Sequence, residues 1–331
     1  MRRRDILTTM AGATVCLGSP LAHAQQPDRV RRVGVLMAVT QGDPEGEARL
    51  AALRGGLEEL GWVDGANLRL DMRWAAGDRE RIRQYVAELV GEAPDIIVGN
   101  GTAVLDELHK ATRSIPVVFV LTTDPVGLGY IDSLAHPGGN ITGFTFLEPS
   151  LVGKWLQLLH EVAPNVTRAV VIFNPQSTPY YYSFLKPFEG RTDPSGIEII
   201  KGEIATLADV QRVVASIASE PHGSLIVPGD PFNIVHDREI LAEANRFNLP
   251  TLSVYRQFVL DGGLLSYAPS TVDVFRRSAA YIDRILKGAN PGELPAQSPV
   301  TYELVINLKA AKALQLGIPL NLLARADEVI E

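Results

Sequence analysis

Residues 262–267, Gly-Gly-Leu-Leu-Ser-Tyr, decide how this chain is built. They read as an irregular strand, at a point where a second α/β sheet is already complete. A strong helical pattern follows over residues 272–286, with apolar residues on one face. A compact second domain that ends near Tyr255 would be complete without this strand and this helix. We therefore expect the chain to return to its first domain after Tyr255 and then to cross over once more.

Upstream of residue 262, strand-like apolar runs alternate with helical patterns. Residues 33–39 read as a buried strand, and residues 47–60 follow with leucines on one helical face. This rhythm continues to residue 121, breaks around Gly138-Gly139, and then restarts. The alternation predicts two consecutive parallel sheets wrapped by helices, each of about 120 residues.

The predicted fold class is therefore α/β, with two doubly wound parallel-sheet lobes joined by a three-strand hinge. The first lobe is predicted to comprise residues 25–146 and 262–300. The second lobe then comprises residues 147–261 and 301–331. We expect a cleft between the two lobes.

The first 24 residues predict export. Three arginines, Arg2 to Arg4, precede a diluted apolar run, and Ala22-His23-Ala24 offers a signal-peptidase site with Gln25 as the mature N-terminus. Residues 3–7 also fit a twin-arginine signal, and an ordinary secretory signal is the alternative. The run is shorter than the roughly 18–20 apolar residues of a membrane span. The prediction is a periplasmic mature chain that does not insert into the membrane.

Composition narrows the function further. The one cysteine, Cys16, lies in the predicted signal, so the mature chain has no disulfide. Removing residues 1–24 takes away three arginines and one aspartate, so the formal net charge falls from −7 to −9. Such a chain is a poor partner for nucleic acid or an anionic membrane surface.

Signatures of catalysis are missing from the sequence. The histidines beyond residue 24 are too scattered for a zinc site, and there is no Gly-x-Ser-x-Gly elbow, P-loop or dinucleotide glycine fingerprint. We therefore predict a protein that is not an enzyme and uses no cofactor or metal.

Polar residues at the carboxyl ends of the predicted strands form the candidate binding site, since open α/β sheets bind ligands there. Asn100-Gly101-Thr102 opens a helix and either holds an anion or simply caps that helix. Thr123-Asp124 either binds a ligand amine or forms the turn before Pro125. Thr40, in the turn after the first strand, is a further candidate.

The second half offers equivalent positions. Asn174 and Asp230 follow strands, and Asp230 either pairs with a cation or caps the next helix. Tyr180 begins a run of three tyrosines, of which at most one or two can reach a ligand. Tyr255 and Tyr267 lie in the expected crossovers, where they either line the cleft or pack the hinge.

Several segments make this chain resemble the substrate-binding proteins of ABC transporters, in the type I periplasmic-binding group that includes tryptophan- and tyrosine-binding members. The segments are Ile115-Pro116-Val117-Val118-Phe119-Val120, Asp124-Pro125-Val126-Gly127-Leu128-Gly129, Pro137-Gly138-Gly139-Asn140-Ile141-Thr142-Gly143, Gly262 to Tyr267, and Glu303-Leu304-Val305-Ile306-Asn307-Leu308-Lys309. The resemblance implies a monomeric two-lobed protein that closes on a small solute and presents it to a permease with a cytoplasmic ATPase. It also implies that Thr102, Asp124, Asn174 and Asp230 face the cleft.

One departure leaves the solute open. After the strand ending at Val227 this sequence has Gly-Asp-Pro-Phe, where the aromatic amino-acid binders have an Asp followed by Asn and Thr. An amino acid, an aromatic acid or a similar small metabolite are all compatible. Two other readings stand beside transport. One is an exported hydrolase that uses Asp124 and Asp230 as a carboxylate pair, and the other is a solute-sensing subunit that docks on a membrane receptor.

Overall fold

The computed structural model describes residues 29–331. The predicted signal peptide and the mature N-terminus at Gln25 lie outside the described residues. Among the helices of residues 29–331, none is both long and apolar enough to cross a bilayer.

The first sheet has five parallel strands in the order β2-β1-β3-β4-β5. Its strands are β1 (Arg31–Met37), β2 (Leu68–Trp74), β3 (Ile96–Asn100), β4 (Val117–Thr122) and β5 (Ile141–Thr145). Its connecting helices are α1 (Pro44–Glu59), α2 (Arg79–Gly91) and α3 (Thr102–Ala111). Residues of β3, β4 and β5 are buried throughout, as expected for strands covered on both faces.

The second sheet has seven strands in the order β12-β11-β10-β9-β8-β6-β7. They are β6 (Arg168–Phe173), β7 (Glu198–Glu203), β8 (Gly223–Val227), β9 (Thr251–Ser253), β10 (Leu265–Pro269), β11 (Tyr302–Asn307) and β12 (Glu328–Ile330). The remaining helices are α4 (Ser150–Val162), α5 (Tyr181–Leu185), α6 (Leu207–Ala218), α7 (Pro231–Val235), α8 (Asp237–Arg246), α9 (Arg256–Leu260), α10 (Thr271–Leu286), α11 (Leu308–Ala313) and α12 (Leu320–Leu323). Strands β10 and β11 pair antiparallel, and the other neighbours pair parallel.

The strand at residues 262–267 lies in the second sheet, which differs from the prediction that the chain has already returned to the first lobe there. Leu265 pairs with Leu252 of β9 and with Ile306 of β11. Its side chain is buried in the apolar cluster of the second sheet. The strand belongs to the second sheet because its apolar side chains help to bury this cluster. The chain therefore leaves the second sheet only at Ser270.

Helix α10 packs on the first sheet. Its residues Phe275 and Ile282 are buried in one cluster with Leu53 of α1 and Val118 of β4. The Trp62 indole N–H donates to Asp283 Oδ1 at 2.8 Å and ties the end of α1 to α10.

Three connections therefore join the two sheets: residues 146–149, residue 270 and residues 298–301. The Ser270 N–H donates to the Thr301 carbonyl at 2.9 Å, so the second and third connections run side by side. The Thr145 N–H likewise donates to the Gln297 carbonyl at 2.9 Å, at the end of β5. The lobes are thus joined at one edge.

Candidate functional site

At the first lobe, the end of β3 is tied to the end of β1. Asn100 is buried, and its Oδ1 accepts the Ala38 N–H at 3.2 Å. Gly101 then adopts φ +87°, which a side chain would make costly, and its N–H donates to the Val120 carbonyl at 2.8 Å. The Asn100 side chain therefore shapes the strand ends, and α3 begins directly after them at Thr102.

The loop after β4 carries the polar groups nearest to α3. The Thr102 hydroxyl accepts the Thr123 N–H at 3.2 Å. Asp124 follows at φ +50°, and its Oδ1 accepts the Gly127 N–H at 3.0 Å. Asp124 therefore forms the turn before Pro125, which is one of the two roles predicted for it from the sequence. Asp124 is half-buried, so it remains partly accessible to solvent.

Asp230 lies at the equivalent position of the second lobe and is 1% exposed. Its Oδ2 accepts the Asn174 N–H at 2.9 Å and the Thr178 hydroxyl at 2.6 Å. Its Oδ1 accepts the Phe232 N–H at 2.7 Å and so caps α7. Of the two roles predicted for Asp230, the helix cap is the one that the structure contains, and both oxygens are engaged with protein donors.

Three tyrosine hydroxyls meet the Gly229–Asp230 peptide. The Tyr180 and Tyr181 hydroxyls both donate to the Gly229 carbonyl, at 3.3 and 3.1 Å. The Tyr255 hydroxyl accepts the Asp230 N–H at 2.9 Å. Burial raises the pKa of all three phenols, so each is a neutral hydrogen-bonding group at physiological pH.

Tyr180 is also close enough to the first lobe to be affected by a charge there. Burial first, then the nearby Asp230 carboxylate and, to a smaller extent, the Asp124 carboxylate raise its pKa. Thr123 and Asp124 belong to the first lobe, whereas Tyr180 belongs to the second. The structure therefore brings the predicted residues together in two groups, with Thr102, Thr123 and Asp124 in the first lobe and Asn174, Tyr180, Asp230 and Tyr255 in the second.

Two predicted residues lie elsewhere. Thr40 is exposed in the loop before α1, and its carbonyl accepts the Asp43 N–H at 3.1 Å. The Tyr267 ring stacks on Tyr302 at 5.5 Å within the second lobe, which is the packing role that the sequence left open. Tyr267 packs there because β10, which carries it, belongs to the second sheet.

Sequence reasoning missed Thr178, Tyr181 and Phe146. Thr178 is buried and reaches back to Asp230, and its only signal was a hydroxyl four residues after Asn174. Phe146 begins the first connection, and it packs against the apolar clusters of both lobes. Its signal was its place at the predicted lobe boundary.

The chemistry of this arrangement is recognition by hydroxyls, amides and one accessible carboxylate. A carboxylate pair of Asp124 and Asp230 is not available for hydrolysis, because the Asp230 oxygens already accept protein donors. Within residues 29–331, no group of three His, Cys, Asp or Glu side chains is arranged to hold a metal ion.

Residues 33–330 match the family model described as "ABC transporter substrate binding protein". A curated relative, the "Tyrosine-binding protein" of Clostridioides difficile (strain R20291), is 24% identical over 261 residues, which covers 78% of this chain and 74% of that protein.

Two crystal structures share the fold over 91% of this chain, each with a TM-score of 0.80. One is a conserved domain protein from Vibrio cholerae, 30% identical and covered over its whole length. The other is an ABC domain from Streptococcus pneumonia in complex with L-Trp, 25% identical and covered over 99%.

Proposed function

The chain belongs to the ABC transporter substrate-binding protein family, and from this premise we propose that it captures a small organic solute of the aromatic amino-acid or aromatic-acid class between its lobes. It is the substrate-binding component of an ABC transporter, so it works with a permease. The proposed solute class is supported by relatives whose names record tyrosine and L-Trp as ligands.

The observation that carries the proposed site is the polar cluster at the strand ends of each lobe, with the Thr102 hydroxyl bonded to the Thr123 N–H in the first lobe and the Tyr180 hydroxyl bonded to the Gly229 carbonyl in the second. Hydroxyls of Thr102 and Thr123 suit a carboxylate, the accessible face of Asp124 suits an amine, and the tyrosine cluster suits an aromatic ring. We assign the contacts with the solute to these threonines, Asp124 and the tyrosines. Asn100, Asn174 and Asp230 instead hold the strand ends in place around the solute.

Binding without turnover follows from the same groups. A hydrolase would need a nucleophile or a pair of free carboxylates beside the solute. The carboxylate of Asp230 is instead held by Asn174, Thr178 and Phe232. The solute should therefore be recovered chemically unchanged.

The site of action is the periplasm, and the mature protein is a monomer. The basic start, the apolar run and Ala22-His23-Ala24 support export, with Gln25 as the mature N-terminus. Amino-terminal sequencing of the native protein tests the cleavage site. Replacing Arg3 and Arg4 by lysine tests the route: loss of export supports the twin-arginine signal, and normal export supports the ordinary secretory signal.

A thermal-shift screen against L-tryptophan, L-tyrosine, L-phenylalanine, aromatic acids, L-leucine and sugars tests the solute class. A true solute at 100 times its dissociation constant stabilises the protein by about 2.7 kcal/mol. That corresponds to a rise in melting temperature of roughly 5–10 °C. A response to sugars alone would contradict the proposal, and mass spectrometry showing a chemically altered solute would contradict the binding role.

A further inference from the structure

The first connection between the lobes lies against the turn that follows β8. Phe146 and Leu147 begin this connection. A Cβ at Gly229 would lie 3.0 Å from Leu147 Cδ1 and 3.6 Å from Phe146 Cε1. A side chain at this position would crowd Leu147, so glycine lets the connection come close to the second lobe. The same glycine carries the carbonyl that accepts the hydroxyls of Tyr180 and Tyr181.

The backbone of Phe146 is held by the first lobe. Its N–H donates to the Thr122 carbonyl at 3.0 Å, at the end of β4 and directly before Thr123 and Asp124. Its side chain packs against the apolar clusters of both lobes. Phe146 therefore lies beside the polar strand end of the first lobe through its backbone, and beside Gly229 of the second lobe through its ring.

The aromatic residues around Gly229 differ in how much surface they leave accessible. Tyr181 is fully buried and Tyr180 is 9% exposed, so these two rings offer a solute little area. Phe146 and Tyr255 are each half-buried, and the Tyr255 hydroxyl also lies 3.6 Å from the Cβ position of Gly229. An accessible aromatic ring attracts a second ring in offset-stacked or edge-to-face geometry. Phe146 has no polar atom, so packing is the one kind of contact that its ring can make.

We propose that Phe146 is a specificity-determining residue of the solute site, and that its ring packs directly against the aromatic ring of the solute. The polar groups at the two neighbouring strand ends then bind the charged end of the solute. This inference rests on the proposed function, because it assigns the contact that selects an aromatic solute over an aliphatic one. The competing role for Phe146 is structural, with a ring that only packs the connection between the lobes.

Three substitutions test the contribution of the ring to binding. Phe146→Leu removes the ring and keeps an apolar side chain, whereas Phe146→Tyr keeps the ring. Phe188→Leu is the matched control, because Phe188 is also half-buried and packs against the cluster of the second lobe, but lies beside α4, with its Cζ 4.0 Å from the Cβ position of Gly153. Isothermal titration calorimetry with L-tryptophan and with phenylacetate measures the dissociation constants.

For each probe that the wild type binds, Phe146→Leu should weaken the affinity roughly three- to tenfold, which is the contribution of one aromatic pair. Phe146→Tyr should restore most of this loss, and Phe188→Leu should bind as the wild type does.

A direct contact is measured by isotope-filtered NMR of protein with carbon-13 in its phenylalanine rings. We expect nuclear Overhauser cross peaks between the ring protons of the bound probe and one labelled phenylalanine. These cross peaks should be missing in Phe146→Leu and Phe146→Tyr, and should remain in Phe188→Leu. A merely structural role for Phe146 would change the affinity without producing these cross peaks.

The results that overturn this inference differ from those that overturn the proposed function. If the wild type binds neither L-tryptophan nor phenylacetate, the proposed solute class is wrong and this inference fails with it. If the wild type binds a probe, but Phe146→Leu keeps the full affinity or the cross peaks to Phe146 are absent, then the assignment of Phe146 alone is wrong.

Discussion

The Thr178 hydroxyl donates to Asp230 Oδ2 across 2.6 Å, and both side chains are buried. The same carboxylate accepts backbone N–H groups from Asn174 and Phe232. It therefore joins the end of β6 to the end of β8. The Ser177 hydroxyl donates to Oδ2 as well, at 3.4 Å. All of these neighbours are donors, so this position needs a side chain that only accepts hydrogen bonds.

Asp230→Asn should lower the free energy of unfolding by about 1–3 kcal/mol, because the new amide nitrogen cannot accept a hydrogen bond from these donors. Urea denaturation of the ligand-free protein measures the change. Asp124→Asn is the matched control, since its half-buried side chain has one backbone donor at 3.0 Å and an amide oxygen can keep that bond. A loss in Asp124→Asn as large as in Asp230→Asn would contradict the assigned roles.

Two adjacent glycines of α1 should respond to alanine with opposite signs. A Cβ at Gly56 would lie 2.8 Å from the Arg276 carbonyl oxygen and 2.9 Å from the Ala279 Cβ of α10. Gly56→Ala should therefore cost about 1–3 kcal/mol of unfolding free energy. A Cβ at Gly55 meets no atom within 4 Å, so Gly55→Ala should stabilise the helix by roughly 0.5–1 kcal/mol.

Chemical denaturation of the two variants tests whether α10 packs on α1 in solution. Equal effects of Gly55→Ala and Gly56→Ala would contradict the close approach of these helices. A stabilising Gly56→Ala would contradict it more directly, because the approach leaves no room for a methyl group.

The local elements could be predicted because their patterns are local. Residues 33–39 are expected as a strand and largely coincide with β1 (Arg31–Met37), and residues 272–286 are expected as a helix and nearly coincide with α10 (Thr271–Leu286). The periodic burial of one helical face or of a strand is determined by residues that are close together in the sequence. Such features need no knowledge of the rest of the chain.

Which sheet a strand joins, and which partner a polar group finds, could not be predicted in this way. Leu265 pairs with Ile306, and nothing in residues 262–267 specifies a partner so far along the chain. Likewise, Thr178 and Tyr255 reach the Asp230 turn from 52 and 25 residues away. These contacts depend on the complete packing of the second lobe, so the sequence left the roles of Asp230 and Tyr267 open.

Asp209 provides a test of acid stability. It forms a capping box with Thr206 at the start of α6, and hydrogen bonds from Arg212 first, then Thr206 and Ala205, lower its pKa from 3.8 to about 2. Because its folded-state pKa lies below the unfolded value, the charged carboxylate contributes fully above about pH 4 to 5. That contribution is lost as the pH falls toward 2.

Carboxyl carbon NMR should therefore show Asp209 titrating near pH 2, and Arg212→Gln should move the midpoint upward because it removes the strongest of these hydrogen bonds. In Asp209→Asn, the start of α6 should lose its dependence on pH between about 4 and 2, as amide exchange would show. An unchanged midpoint in Arg212→Gln would contradict this account.

Asp124→Asn tests the proposed solute contact without disturbing the fold. Asparagine tolerates the φ of +50° and can accept the Gly127 N–H as aspartate does, so the turn should persist. Only the charge is removed. With L-tryptophan as the probe, we expect most of the roughly 5–10 °C stabilisation to be lost, since the amine would face a neutral amide.

Asp132→Asn serves as its control, because Asp132 is an exposed carboxylate of the following loop and has no place in the proposed site. Its melting temperature should rise with L-tryptophan as the wild type does. If Asp124→Asn responds like Asp132→Asn, then Asp124 does not bind the amine, and the solute is held by the hydroxyls of Thr102 and Thr123. If an aromatic acid without an amine stabilises the wild type and Asp124→Asn equally while L-tryptophan stabilises neither, then the aromatic-acid half of the proposed class is the correct one.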